Sequence, residues 1–169
     1  MDASSLRALQ APIKERYKAE PNAAVITLQA KGTLDDANIA CKLETGRALA
    51  IAGLHPATGG SGLELCSGDM LLEALVACAG VTLKAVATAL DVPLKSAAVA
   101  AEGDLDFRGT LGVAKDAPVG FREIRLRFDL DTEAPQDKLD QLLKLTERYC
   151  VVYQTIKCGP PIDVTLKRT

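Results

Sequence analysis

The chain has 169 residues, of which 48% are hydrophobic and 25% are charged, so it can bury the core of one ordinary globular domain. Its 20 basic and 22 acidic residues give a net charge of −2, so neither nucleic acid nor a membrane is expected as a partner. Five cysteines without a secretory signal predict mostly reduced thiols in a cytoplasmic protein, and one histidine with no CxxC predicts neither a metal nor a cofactor.

A helix precedes the main domain. Residues 4–19 carry four apolar side chains spaced three or four apart, which predicts an amphipathic helix, and Pro12 predicts a bend or a restart within it. We interpret residues 1–21 as a helical extension and residues 22–169 as a single domain. The four apolar residues are Leu6, Leu9, Ile13 and Tyr17.

Alternating apolar and polar residues predict the first strands. They lie at about 26–30, 39–43 and 49–51, with a turn at 32–36 between the first two. Cys41 belongs to the second strand and is expected to face the core, as a free cysteine commonly does.

A long apolar helix follows. Ser67 is its predicted cap, Asp69 lies in its first turn, and the helix is expected to run to about Leu90 and to be buried on all sides. The charges of Glu73 and Lys84 favour a buried helix over a membrane span. A stripe of small residues would let another helix approach closely, and that helix could be the same one in a second subunit. The stripe consists of Ala74, Ala77, Cys78, Val81, Ala85 and Thr88.

The second half of the chain predicts two more strands, a helix and a last strand. The strand at 97–101 is expected to continue through Leu105 and Phe107, and the strand at 123–131 alternates most clearly between apolar and charged residues. A helix begins near Pro135, and its buried stripe ends at Cys150. The order predicts an α+β fold with helices packed on one face of a mostly antiparallel sheet. The last strand is expected to place three residues inward, namely Ile162, Val164 and Leu166.

Cys78 and Cys150 are the candidate catalytic residues. Both are expected to face the interior, and two thiols in an apolar pocket suit peroxide reduction. In that reaction one thiolate attacks the O–O bond and becomes a sulfenic acid, and the second thiol condenses with it to a disulfide. An external thiol then reduces the pair. The alternative, from the residues alone, is that both are small buried hydrophobic residues.

Two segments carry a resemblance to a known family. The stretch SGDMLLEALVACAGVTLKAVA at 67–87 and the stretch RYCVV at 148–152 are similar to the signature of the OsmC/Ohr superfamily. The order of strands and helices is similar to that of the family over nearly the whole chain. The resemblance implies an OsmC-like, interlocked homodimer with the two long buried helices at its centre. It also implies organic hydroperoxides as substrates and an external thiol or dithiol as the reductant.

Residue by residue, the resemblance implies that Cys78 attacks the peroxide and that Cys150 resolves the product. Asp69 stands about where the family has an acidic residue, so it is a candidate substrate-binding residue. The peroxidases of the family hold an arginine in the turn after the first strand, where this chain has KGTLDD. A helix dipole acts only within its first turn and Cys78 lies about three turns along its helix, so we expect a cation beside this thiol. Arg47 and Arg148 are the candidates.

The leading hypothesis is therefore thiol-dependent reduction of organic hydroperoxides by Cys78 and Cys150. An alternative is a non-catalytic binding module that holds an apolar small molecule in a pocket at the dimer interface, and a third possibility is a purely structural dimer. Cys66 is interpreted as a loop thiol, and Cys158 could in principle pair with Cys150.

Overall fold

The structure is a computed structural model, and it describes residues 2–19, 32–34, 40–44, 49–112 and 114–168. These residues form five helices and six strands together with a short 3-10 turn at Pro56–Thr58. In chain order the elements are α1 (Ala3–Ala19), β1 (Gly32–Leu34), β2 (Ala40–Glu44), β3 (Leu49–Gly53), β4 (Leu65–Cys66), α2 (Ser67–Ala89), β5 (Ser96–Asp104), α3 (Phe107–Thr110), β6 (Glu123–Asp131), α4 (Gln136–Tyr149) and α5 (Val151–Cys158). The predicted α+β class is confirmed.

The N-terminal helix is present as predicted. It begins where the Asp2 carboxylate accepts a hydrogen bond of 2.7 Å from the backbone N–H of Ser5, which is the usual way a helix start satisfies a free donor. The predicted restart at Pro12 is wrong, because α1 is a single helix through that position. A proline removes one backbone donor from a helix, and here that loss does not end the helix.

The first sheet joins β1, β2, β3 and β4 in that order. The first three strands pair antiparallel, and β4 adds to β3 in parallel. The strands predicted near 39–43 and 49–51 are confirmed as β2 and β3. The turn predicted at 32–36 is wrong at its start, because Gly32, Thr33 and Leu34 form β1 and pair with β2. The strand predicted at 26–30 lies outside the described residues.

The second sheet is the antiparallel pair of β5 and β6. Burial alternates residue by residue along β6, so the strand predicted from its charge pattern is confirmed. The predicted continuation of β5 through Leu105 and Phe107 is wrong, because the strand ends at Asp104 and Phe107 begins α3. The local cause is Asp106, whose carboxylate accepts the N–H of Arg108 and starts a helix. The described strands thus form two sheets rather than one.

The long helix α2 carries the core of the molecule. Its buried residues recur every four positions and pack towards α4, α5 and β5. The predicted burial on all sides does not hold within the single chain, where Val81 on the opposite face is 74% exposed. By length and composition alone α2 could cross a membrane, because an 18-residue window of it has a mean hydropathy of 1.8, and one face of the helix packs against these neighbours. Its buried residues are Leu75, Ala79, Leu83 and Ala87.

The start of α2 differs from the prediction by one residue. Cys66 occupies the N-cap position and Ser67 is the first helical residue, so Ser67 is not the cap. The helix ends at Ala89 because Asp91 takes a left-handed backbone conformation, with a φ of 53°, and Pro93 follows. Asp is one of the few residues other than glycine that adopts this conformation readily.

Helix α4 is confirmed from Gln136 onwards, with Leu142, Thr146 and Cys150 forming its buried stripe. Helix α5 was not predicted; it follows immediately and ends at Cys158, where Gly159 caps it in a left-handed conformation. Residues 160–168 form neither a helix nor a strand, so the last strand predicted to face inward is wrong within one chain. Its apolar side chains lie in solvent, with Ile162 83%, Val164 90% and Leu166 95% exposed.

Candidate thiol site

The site lies at the junction of α4 and α5. Cys150 ends the first of these helices and is the N-cap of the second, with an extended backbone at φ −74° and ψ 107°. Its residue is only 1% exposed, because it continues the buried stripe of α4. No proline or glycine forces the break, so the extended conformation of Cys150 alone turns the chain into a new helix. The first N–H groups of that helix have no partner within it.

Cys78 lies in the middle of α2, where α2 packs against α5. Its side chain is partly exposed, and its thiol lies close enough to that of Cys150 for each to shift the pKa of the other. The structure therefore brings together the two cysteines that the sequence singled out, although 72 positions separate them in the chain. The four cysteines whose side chains the structure describes, Cys66, Cys78, Cys150 and Cys158, are free thiols.

Three donors act on the thiol of Cys78. Burial by itself raises the pKa of this thiol, but the backbone N–H of Val152, the Cys150 thiol and the N–H of Val151 lower it, and the net result is a pKa below the ordinary value of a cysteine. The Thr82 hydroxyl lies close by and donates its proton to the backbone carbonyl oxygen of Cys78 at 2.7 Å. Each of the three donors is uncharged, and two of them belong to the first turn of α5.

Cys150 shifts in the opposite direction. Burial raises the pKa of its thiol, the hydrogen bond and the negative charge of Cys78 raise it further, and the backbone N–H groups of Tyr153 and Val152 offset only part of this. The two directions agree with each other, because each thiol acts on the pKa of the other. Of the two, Cys78 loses its proton more readily and Cys150 keeps its proton more strongly.

Of the two candidates for the predicted cation beside Cys78, one can be placed. Arg148 is exposed and its guanidinium stacks over the ring of Tyr149 at 5.5 Å. Arg47, the other candidate, lies outside the described residues, so the cation stays a prediction. The prediction considered only the dipole of α2, but the N–H groups of Val151 and Val152, at the positive end of α5, also lower the pKa of the Cys78 thiol. The Gly-Pro-Pro stop at 159–161 and the spacing of Val152 and Ile156 were the signals that could have revealed this helix.

Asp69 does not join the thiol pair within one chain. It lies in the exposed first turn of α2, nine residues before Cys78, which is about 13 Å along a helix. Its carboxylate lies at the positive end of the α2 dipole, where a negative charge is stabilised. The role in substrate binding that the resemblance implied for Asp69 stays a prediction.

The other cysteines lie away from the pair. Cys158 is the last residue of α5, two helical turns beyond Cys150, so their α-carbons are about 12 Å apart and too far for a disulfide. The predicted alternative pairing of Cys158 with Cys150 is therefore wrong in this conformation. Cys66 is the N-cap of α2 and partly exposed. Cys41 lies in β2, but its side chain is outside what the structure describes.

An apolar cavity of about 660 Å³ lies beside the site, between β6, α4 and α5. Leu75 and Leu83 of α2 line it, and so do Glu147 and Tyr153, which flank Cys150 by three residues on either side. Neither sulfur lines this cavity, so it adjoins the thiol pair without containing it. Among the residues that the structure describes, no group of three or more potential ligands could hold a metal ion.

Comparison with known protein families gives a match that includes the thiol site. The profile of the family described as OsmC-like protein matches residues 60–165, which is more than half of the chain and includes both thiols. Comparison with curated proteins gives no match.

Solved structures share the fold at low sequence identity. An OsmC-like protein from Mycoplasma pneumoniae has a TM-score of 0.65 at 14% identity, covering 79% of this chain and 89% of its own. An organic hydroperoxide resistance protein from Elizabethkingia anophelis has a TM-score of 0.64 at 14% identity, with coverages of 80% and 91%. An organic hydroperoxide resistance protein OsmC from Legionella pneumophila has a TM-score of 0.61 at 18% identity, with coverages of 79% and 91%.

Proposed function

The chain belongs to the family of OsmC-like proteins, and from that premise we propose that it reduces organic hydroperoxides, with Cys78 as the attacking thiolate and Cys150 as the resolving thiol. One observation carries the proposal. Cys78 lies beside the buried Cys150 and the first N–H groups of α5, and these neighbours lower the pKa of the Cys78 thiol, which favours the thiolate form of a nucleophile next to a second thiol.

The reaction balances with the groups present. The Cys78 thiolate attacks the distal oxygen of the hydroperoxide, the O–O bond breaks, and Cys78 becomes a sulfenic acid. The organic part leaves as an alkoxide, which takes a proton from solvent to give the alcohol. Cys150 then attacks that sulfur, forms the disulfide and releases the hydroxyl oxygen as water. An external thiol or dithiol reduces the disulfide by exchange and restores both cysteines.

Apolar side chains around Cys78 favour an organic peroxide over hydrogen peroxide. Val81, one turn further along α2, is 74% exposed, and Val151, at the start of α5, is 69% exposed. Both border the partly exposed thiol and would bury apolar area against an alkyl group, at about 25 cal/mol per Å². Hydrogen peroxide offers no such area.

The direct test is mass spectrometry after one equivalent of an alkyl hydroperoxide is added to the reduced protein. We expect a disulfide between Cys78 and Cys150 in the wild type and a sulfenic acid at Cys78 in the Cys150→Ser variant. Oxidation that appears only at Cys66 or Cys158 would contradict the proposal.

A second candidate function is a binding module that takes an apolar small molecule and does no redox chemistry. The cavity of about 660 Å³ favours it, since most of its lining is aliphatic. It predicts an apolar ligand that co-purifies with the protein and a Cys78 thiol that reacts with alkylating reagents no faster than a free cysteine.

We also propose a homodimer. Three alternate residues of the C-terminal segment, Ile162, Val164 and Leu166, are almost fully exposed, and this spacing of apolar side chains is typical of a strand that lacks a partner. Val81 adds an exposed apolar position to the middle of α2. A second copy of the chain would cover both surfaces, and deletion of residues 161–169 should shift the protein from dimer to monomer in analytical ultracentrifugation.

A reducing compartment suits this chemistry, because the catalytic cycle requires external thiols that keep the pair reduced. We therefore propose a cytoplasmic location, an antioxidant role in the response to oxidative stress, and a low-molecular-weight thiol or a protein-bound dithiol as the reductant.

A further inference from the structure

The break between α4 and α5 decides where Cys150 lies. An α-helix bonds each N–H to the carbonyl four residues earlier, so a helix that ran straight through Cys150 would pair the N–H of Val151 with the carbonyl of Glu147. The extended backbone of Cys150 turns Val151 away from that carbonyl. The break therefore takes from the last turn of α4 a hydrogen bond that a continuous helix would make.

The side chain of Gln154 replaces that hydrogen bond. Its Nε2 donates to the backbone carbonyl oxygen of Glu147 at 2.8 Å, across the break and seven residues back along the chain. Both residues are partly buried, where a carbonyl without a donor is costly. The amide of Gln154 thus does for this carbonyl what the N–H of Val151 would do in a continuous helix, and it leaves that N–H to face α2.

Tyr153 makes a second bond to the same residue of α4. Its hydroxyl donates to the carboxylate of Glu147 at 3.2 Å. The Lys157 ammonium, which can only donate, lies 3.4 Å from the same hydroxyl oxygen, so the proton of the hydroxyl is directed at Glu147. Two neighbouring side chains of α5 therefore hold one residue of α4, three positions before Cys150.

The backbone of Cys150 is bonded to both helices. Its N–H donates to the carbonyl of Thr146 at 3.0 Å, and its carbonyl accepts the backbone N–H of Gln154 at 3.0 Å. Gln154 thus bonds to the break twice, through its backbone to Cys150 and through its side chain to Glu147. Because neither a proline nor a glycine lies at the break, these bonds and the burial of Cys150 are what stabilise it.

Resting on the proposed function, we propose that Gln154 is a positioning residue of the thiol site, because its side-chain bond to Glu147 fixes the angle at which α5 leaves Cys150 and packs on α2. Tyr153 supports the same angle through its longer bond. Gln154 does not touch the reacting atoms. It acts through Cys150, which has to approach the oxidised sulfur of Cys78 to form an S–S bond of about 2 Å, so a small rotation of α5 should slow that step.

The test compares Gln154→Met with the wild type. Methionine keeps the length and flexibility of the side chain and removes the donor. Thr155→Val is the matched control, because it removes a polar group from an exposed position of the same helix. A single turnover with an alkyl hydroperoxide is quenched at intervals, and mass spectrometry gives the rates of sulfenic acid formation at Cys78 and of disulfide formation. The alkylation of Cys78 by iodoacetamide is measured across a range of pH.

We expect disulfide formation in Gln154→Met to slow by about tenfold relative to sulfenic acid formation, because the second step depends on the placement of α5. The midpoint of Cys78 alkylation should move to higher pH, since the N–H groups at the start of α5 lower the pKa of this thiol in the native protein. A residue that only stabilised the fold would change neither readout in the folded protein. Thr155→Val should stay within about twofold of the wild type.

A folded Gln154→Met variant with the wild-type ratio of the two rates and the wild-type midpoint would overturn the inference and leave the proposed function standing. If this variant does not fold, Tyr153→Phe decides, because it keeps the ring in the cavity wall and loses only the hydroxyl. Disulfide formation slowed by about threefold in Tyr153→Phe would support the inference, and an unchanged rate would overturn it. Failure of the wild type to form the disulfide between Cys78 and Cys150 would instead contradict the proposed function.

Discussion

Two of the helices that the structure describes have a cysteine at the N-cap, and only one of the two forms a candidate site. Cys66 is the N-cap of α2 and Cys150 is the N-cap of α5, and neither side chain makes a capping hydrogen bond. Around Cys66 the neighbours are apolar, since the sulfur borders Gly68 near the side chains of Leu105 and Phe121. At α5 the neighbour is instead a second sulfur, that of Cys78.

The first turns of the two helices also differ in charge. α2 carries Asp69 in its first turn, and α5 carries no acidic residue there. The carboxylate of Asp69 lies at the positive end of the α2 dipole. No carboxylate lies in the first turn of α5, so the positive end of that helix can act on the sulfur of Cys78. A cysteine at the N-cap of a helix is therefore not enough to form a candidate thiol site. The site also requires a helix N-terminus without a carboxylate in its first turn, and a second cysteine from another helix beside it.

The largest expected effect on peroxide consumption comes from removing the sulfur of Cys78. Cys78→Ser should reduce the rate of alkyl hydroperoxide consumption with a dithiol by at least about 1,000-fold, because the nucleophile is lost. Cys66→Ser, the matched control at the other helix start, should leave the rate within about twofold of the wild type. The measurement is steady-state peroxide consumption, and comparable losses in both variants would contradict the distinction between the two helix starts.

The second effect tests how Cys150 is held in place. Leu142 is fully buried two turns before Cys150 on the same stripe of α4, so Leu142→Ala should lower the free energy of unfolding by about 2–5 kcal/mol. It should also slow disulfide formation by Cys150 without changing the alkylation of Cys66, which a different element supports. Leu143→Ala is the matched control, because Leu143 is 42% exposed and its loss should cost about 1 kcal/mol or less.

Chemical denaturation measures the stabilities of both variants. If Leu143→Ala proves as costly as Leu142→Ala, the burial of the stripe would not be what positions Cys150.

The sequence contains most of the fold and half of the site. Periodicity located α2, α4 and β6 because each has a clear apolar face, and it placed Cys150 at the end of a buried stripe. It did not separate the two sheets, since strand pairing depends on contacts between distant residues. It also placed Ile162, Val164 and Leu166 inward, although within one chain nothing in the described residues covers them.

The effect of α5 on the pKa of Cys78 could not be predicted from the sequence. A thiol three turns into its own helix should be inert, and that argument is sound for α2 taken alone. The activating group belongs to a different helix, whose start at Val151 follows another helix with no loop between them. A pattern read along one element cannot show that the N-terminus of a second element points at its middle.

The third prediction concerns a variant that gives the first turn of α5 a carboxylate, as Asp69 does in α2. Val151 is 69% exposed, so Val151→Asp is sterically tolerated and adds a carboxylate to the first turn of α5. The added negative charge should raise the pKa of Cys78, which is lowered in the native protein, so less thiolate would be present at pH 7. We expect alkylation of Cys78 by iodoacetamide to slow about two- to fivefold, the size of a charge effect at a helix terminus.

Val151→Asn is the control, because it keeps the shape without the charge. The difference between the two variants should shrink at high salt, since the added carboxylate is exposed and screened. A pH profile whose midpoint is the same in both variants would mean that the N-terminus of α5 does not set the ionisation of Cys78.

The smallest effect concerns Cys66 as a cap. Serine accepts a hydrogen bond from the first turn of a helix and cysteine makes none here, so Cys66→Ser should raise the free energy of unfolding by about 0.5 kcal/mol. Cys66→Ala, which cannot cap either, should leave the stability near that of the wild type, and thermal unfolding followed by circular dichroism separates the two. At Cys150 the same change to serine also supplies a cap, but it removes the resolving thiol. A gain in stability at both positions, with disulfide formation lost only at the second, would show that the two helix starts are equivalent as caps and differ only in the sulfur placed against them.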